Sequence, residues 1–143
     1  MDLFNDLVRF ETDFWNALER RLLHADQVGL ATLQALQVLD RHAGTGRVHE
    51  LSRELSITIG AASKLVDRLE RGGLATRRPH PEDRRSSLIT LTSSGQRARV
   101  GAEAIAQPFV RSVLGDGEDA EMLSEALRNL QARLDEATAG VSA

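Results

Sequence analysis

The side chains best equipped for chemistry lie between Thr58 and Arg85, and they are cations rather than nucleophiles or metal ligands. Arg84 and Arg85 fall in the loop Pro81-Glu82-Asp83-Arg84-Arg85, between two strand-like segments, Thr76 to His80 and Ser87 to Leu91. An arginine-tipped hairpin can enter a minor groove, where a narrow A·T-rich segment concentrates negative potential. An ordinary polar turn is the competing reading, in which the adjacent Asp83 simply neutralises one guanidinium.

Upstream of the hairpin, Thr58 reads as the N-cap of a helix that runs to Arg71, and Val48 to Leu55 reads as a shorter helix before it. Two short helices joined by the tight turn at Ser56-Ile57 are a helix-turn-helix, whose second helix lies in the major groove. Ala62, Leu65, Val66 and Leu69 share one face of that helix and are expected to be buried against Leu51 and Leu55. Thr58, Ile59, Gly60, Ala61, Ser63, Lys64, Asp67 and Arg68 are left to project. Small residues at Gly60, Ala61 and Ser63 permit close backbone approach, and Lys64 and Arg68 place positive charge one turn apart. Lys64 is the only lysine in the chain. Beside Ser63 it could meet a phosphate or a guanine edge; alone, it reads equally well as part of a solvated helix face.

Other chemistries find little support. There is no Gly-rich phosphate loop, no G-x-S-x-G, no H-E-x-x-H and no evident carboxylate pair, so no enzyme is expected. Glu118, Asp119 and Glu121 look like first-turn acids opposing a helix dipole. The absence of cysteine excludes disulfides, thiolate zinc sites and thiol-based redox sensing. His24, His42, His49 and His80 show no ligand spacing, so neither a metal nor a cofactor is expected.

The elements that must position these groups are helical. Hydrophobic residues make up 41% of the 143 and aromatics only 3%, so Leu, Val, Ile and Ala must build the core. Leu3, Leu7, Phe10, Phe14, Leu18 and Leu22 form one stripe of a helix to about Leu23, widened by Phe4, Val8, Trp15 and Leu23. So wide an apolar arc calls for a partner helix from a second subunit, with Trp15 as its largest piece. Leu30, Leu33, Leu36 and Leu39 make a second helix ending near His42-Ala43-Gly44, with Gly44-Thr45-Gly46 as the turn out of it. A long helix from Ser93 or Ser94 passes Ala98, Ala102, Ile105, Phe109 and Val113. Pro108 in its interior predicts a kink, and Gly115-Asp116-Gly117 ends it. Leu123, Leu127, Leu130, Leu134 and Ala137 then repeat at 3.5-residue spacing, a seam suited to pairing with another helix.

The net charge of −3 runs against a nucleic-acid binder, but its distribution does not. Residues 47–85 carry nine basic and six acidic side chains, a local balance of +3 that leaves −6 for the flanks. A basic centre between acidic, apolar flanks suits one face for phosphate and another for water or self-association. No apolar run approaches the roughly 20 residues of a membrane span, and the acidic start Met1-Asp2-Leu3-Phe4-Asn5-Asp6 lacks a basic signal-peptide region. A cytoplasmic location is expected.

Leu65-Val66-Asp67-Arg68-Leu69-Glu70-Arg71-Gly72-Gly73-Leu74, followed by Arg77, Asp83-Arg84-Arg85, Leu91-Thr92 and Gly95, resembles the MarR family of bacterial transcriptional regulators, closely over residues 48–95. The resemblance implies a mainly α fold with a winged helix-turn-helix lobe at 47–95, a small β-hairpin wing, and dimerisation helices at 1–28 and 96–143, all in a single domain over 1–143. It implies a homodimer on a pseudo-palindromic operator in double-stranded DNA, acting as a repressor. In that family the wing's Asp-x-Arg holds an arginine that probes the minor groove, and here the matching residues are Asp83 and Arg85, with Arg84 on phosphate. Thr58, Gly60, Ala61, Ser63, Lys64, Arg68 and Arg77 complete the expected DNA-contacting set. The segment Ser56 to Ser63 is the family's variable recognition region, so the resemblance does not carry an operator sequence. Such regulators are commonly released by small aromatic or phenolic ligands between the dimer helices and the winged lobe. By location Phe14, Trp15, Leu18, His24 and Leu33 are the candidates for that site, with Phe10 and Leu30 beside them, although packing explains each first. The alternative is a helical dimer that binds a ligand or another protein without touching DNA.

Overall fold

The computed structural model describes residues 1–82 and 87–139. The expected wing tip at Asp83, Arg84 and Arg85 lies outside the described residues. The chain divides into two compact units, Met1–Ala106 and Gln107–Ala143.

The first unit begins with α1 (Asp2–His24), of which only the last turns are covered: Leu18 and Leu22 are buried, whereas Leu3, Phe4, Leu7, Val8 and Phe10 remain exposed. Glu19 fixes α1 to the next helix, since its carboxylate accepts from the Leu30 backbone N–H at the start of α2 (Leu30–Arg41). An anion at a helix N-terminus satisfies an orphan donor and opposes the dipole. Gly29 makes room for it, because a Cβ there would stand 2.8 Å from Glu19 Oε1. α2 is the central helix, burying Leu30, Leu33, Ala35, Leu36, Val38 and Leu39 as the apolar spacing requires.

α2 ends through Ala43 (φ 55°) and Gly44 (φ 78°), and the chain then enters a strand that sequence reasoning missed. β1 (Thr45–Arg47) replaces the expected turn at Gly44-Thr45-Gly46. A three-residue strand has no room for an apolar alternation, and Gly46 disguised it as a turn. Gly46 is needed for closeness: a Cβ would lie 3.0 Å from Leu39 Cδ2.

α3 (Val48–Glu54) and α4 (Ile59–Arg71) follow, and their shared face is the core of this unit. Ala62, Leu65, Val66 and Leu69 are buried with Leu51, Ala35, Leu36, Val38, Leu39, Ala75 and Ile89, and the half-buried Leu55 packs against them, as the periodicity predicts. Two antiparallel strands, β2 (Ala75–Pro79) and β3 (Ser87–Leu91), lie within a residue of their expected limits. The sheet order is β1-β3-β2, with Gly46 and Arg77 both opposite Ile89, and Arg47 and Arg78 both opposite Leu88.

α5 (Ser93–Leu114) starts against the foot of the wing and continues through Pro108. Thr92 Oγ1 donates to the Gly73 carbonyl at 2.7 Å and accepts from the Gly95 N–H at 3.0 Å. Gly95 is buried against Leu74, whose carbonyl oxygen would lie 2.0 Å from an added Cβ. Within the first unit Arg99 of α5 reaches Asp40 of α2 at 3.6 Å and Glu103 at 2.6 Å, and Glu103 accepts from Gln37 Nε2 at 3.0 Å.

The second unit contains the end of α5 and α6 (Gly117–Ala139), separated by Gly115 at φ 82°. None of the described α6 residues is buried, and Leu123, Leu127, Leu130 and Leu134 are between 37% and 56% exposed.

Candidate nucleic-acid interface

The helix-turn-helix is fixed by local polar contacts. Thr58 caps α4, its hydroxyl accepting from the Ala61 N–H at 3.1 Å. The turn before it places Ser56 at φ 52° and is closed by Ile57 N–H to the Ser52 carbonyl at 3.0 Å and Ser52 Oγ to the Ile57 carbonyl at 2.7 Å. Buried residues on one side of α4 then force the other outward: Thr58, Ile59, Gly60, Ala61, Lys64, Asp67 and Arg68 are exposed, and Ser63 is half-buried at the margin. Nothing but Thr58 Oγ1, at 4.0 Å, approaches an added Cβ at Gly60, so the N-terminal turn of α4 offers an open, small-residue surface. Lys64 and Arg68 stand one turn apart beyond it.

The far end of α3 is held by charge. Glu54 accepts from Arg41 Nη2 at 2.9 Å and contacts His42 Nε2, joining the ends of α2 and α3. The His42 contact, followed by the Arg41 hydrogen bond, holds the Glu54 carboxyl below its ordinary range.

Arg77 is placed differently from the other expected contacts. It shares the inner side of the sheet with Ile89, where its Nη2 donates to Asp67 Oδ1 at 2.8 Å and its Nε stands 3.5 Å from Glu70 Oε2. Its backbone N–H also donates to Glu70 Oε1 at 3.1 Å. The Asp67 and Glu70 partners, three residues apart on α4, therefore tie β2 to that helix. Sequence reasoning named Asp67 only as a projecting residue; the i, i+3 pair of acids followed by Arg77 was the available signal.

The five residues nominated for a ligand are dispersed. Leu18 and Leu33 are core residues at 6% and 2% exposure, Phe14 and Trp15 are half-buried, and His24 is exposed. Phe14 stacks on Phe10 with centroids 5.6 Å apart. Trp15 lines an open recess of about 360 Å³ with Glu11, Thr12 and Asn16, and His24 lines another of about 190 Å³ with Ala17, Arg20 and Arg21. Neither recess gathers the five together. Among the described residues no cluster of His, Asp or Glu could hold a metal ion.

This geometry has close counterparts. The MarR family model matches residues 26–86, from the α1–α2 junction to the wing. An organic hydroperoxide resistance transcriptional regulator of Bacillus subtilis is 33% identical over 96 residues, covering 67% of this chain and 65% of the regulator. The chain belongs to the MarR family. It spans less than two thirds of the length of the curated MarR-like relatives it matches first. Among solved structures, a variant of MarR from Escherichia coli complexed with operator DNA superposes with a TM-score of 0.79 at 22% identity, covering 91% of this chain and 94% of that one. CouR from Rhodococcus jostii, bound to p-coumaroyl-CoA, gives 0.79 at 23% identity over 92% and 90% of the two chains. At these identities the superpositions establish the winged-helix fold.

No helix among the described residues is long and apolar enough to cross a membrane.

Proposed function

We propose that this MarR-family chain is a cytoplasmic, homodimeric, sequence-specific transcriptional repressor that binds a pseudo-palindromic operator. The observation that carries the reading is α4. Its inner face is locked into the core, its N-terminal turn is capped by Thr58, and its outer face presents Gly60, Ala61, Ser63, Lys64 and Arg68 to solvent. A helix so presented fits the major groove, its small residues admitting the backbone and its cations meeting phosphates or base edges. Asp83, Arg84 and Arg85 serve the wing, Arg85 in the minor groove with Asp83 bracing it. Arg77 contributes from behind, holding the wing to α4 through Asp67 and Glu70.

The exposed stripes Leu3, Phe4, Leu7 and Phe10 on α1, and Leu123, Leu127, Leu130 and Leu134 on α6, support self-association. Release by a small aromatic or phenolic ligand draws support from CouR, which holds a p-coumaroyl thioester. Phe14, Trp15, Leu18, His24 and Leu33 are its nearest candidates, in a cleft completed by the dimer.

Selection of bound fragments from genomic DNA, followed by titration at several salt concentrations, tests the reading. Enrichment of a two-fold symmetric site with steeply salt-dependent affinity is expected. Failure to bind any duplex at low salt would remove the DNA-binding reading in favour of a ligand- or protein-binding dimer.

A further inference from the structure

The cross-strand register of the sheet places a second pair of arginines together that neither the recognition helix nor the wing tip includes. Arg47 on β1 and Arg78 on β2 are both opposite Leu88 of the central strand β3, so the three side chains form one rung on one face. The next rung on that face is Thr45, Thr90 and Thr76. Ile89 and Arg77 occupy the other side, towards the core and α4. The two outer strands are about 10 Å apart across β3, twice the ordinary strand spacing.

Charge distinguishes the two faces. Arg77 is met by two carboxylates, whereas the side chain of Arg78, whose backbone pairs with Leu88, has no hydrogen bond or ion pair with any described residue. Among the described residues no carboxylate forms an ion pair with Arg47 either. Glu50 is engaged by the Arg47 backbone N–H at 2.7 Å, and among the described residues the Arg47 guanidinium Nη2 meets His80 Nε2, at 2.7 Å, across the face of β3. The other ring nitrogen of His80 faces the Glu82 N–H at 3.1 Å. An imidazole accepts on one nitrogen at most, so the two contacts cannot both be hydrogen bonds, and the ring is a weak anchor for Arg47.

We propose that this outer face of the wing sheet is a phosphate-binding surface, with Arg47 and Arg78 as its cations and the threonine rung supplying hydroxyl donors. The proposal rests on the DNA-binding reading and extends its footprint from the groove to the flanking backbone. Two exposed guanidiniums on a hydrogen-bonded sheet, separated by a half-buried leucine, suit the repeated charge of a nucleic-acid strand. An acidic protein would fit the charge alone; the described neighbours of Leu88 on this face are arginines and threonines rather than apolar side chains, which favours the polyanion.

The test uses the full chain, a selected operator duplex and a mixed-sequence duplex long enough for two half-sites. Arg47→Ala and Arg78→Ala should each make the dependence of log K on log salt shallower by about 0.9. They should weaken both duplexes by the same factor, because phosphate contacts carry no sequence information. Arg78→Lys should restore most of the slope, and thermal unfolding should be unchanged in Arg78→Ala. An unaltered slope in the double variant, while Arg68→Ala still weakens binding, would overturn this surface and leave the regulator reading standing. Wild-type protein without salt-dependent DNA affinity would overturn both.

Discussion

Adjacent arginines in this chain have different duties, and the difference is set by the pleat. Arg77 turns inward to Asp67 and Glu70, while Arg78 turns outward with Arg47. The pair was visible in the sequence, but which member faced the core depended on the register of β2 against β3, which sets Arg77 opposite the buried Ile89. The minor-groove role is the one proposed for Arg85. Arg85→Ala should weaken operator binding by about 1–3 kcal/mol without changing the unfolding temperature; an unchanged affinity in titrations at fixed salt would count against that role. Glu54 yields a pH prediction. Its carboxyl is held below the ordinary value by His42 and Arg41, so it contributes stability above about pH 4.5 and loses that contribution as pH falls through the lowered value. Unfolding measured from neutral to acidic pH should show wild type more stable than Glu54→Gln at pH 7, with the gap closing below about pH 4.5.

At the scale of elements, the apolar periodicity of α1, α2 and α4 was legible because each has one face that must be buried, and their limits fall within two residues of the expected ones. What could not be read were contacts between segments distant in sequence. The Gly95 position is the clearest case: it lies in a matched family motif, yet its reason is the Leu74 carbonyl across the foot of the wing. Gly95→Ala would force that carbonyl and the start of α5 apart. We expect a loss of about 3 kcal/mol in denaturant unfolding, at the upper end of ordinary overpacking. Gly60→Ala is the contrasting substitution, since its Cβ would meet nothing closer than 4.0 Å. It should raise stability by about 0.5 kcal/mol through helix propensity and still weaken operator binding if α4 approaches DNA through its backbone. Stability and affinity moving together in Gly60→Ala would argue that this turn stays clear of the duplex.

For the whole molecule, the unresolved question of surface is why two helices remain so apolar in one chain. Leu3, Phe4, Leu7 and Phe10 on α1 and four leucines on α6 are each more than a third exposed. Exposed apolar stripes of this kind on a helix are ordinarily covered by a partner. The heptad-like spacing from Leu123 to Leu134 is short for an independent coiled coil, so in the proposed dimer its role would be shared with other helices. Introducing a carboxylate at the centre of that seam separates this account from one in which α6 is merely a solvated appendage. Leu127→Asp or Leu130→Asp would bury a charge on assembly, at a cost of several kcal/mol unless the residue is neutralised. Sedimentation should then show a concentration-dependent shift from dimer towards monomer, with operator affinity falling because two half-sites are no longer engaged at once. The winged lobe draws its core from α2, α3, α4 and the sheet, so its helical signal by circular dichroism should largely survive. A dimer of undiminished stability in both variants would place the subunit interface elsewhere and leave the α6 leucines without a structural role in assembly.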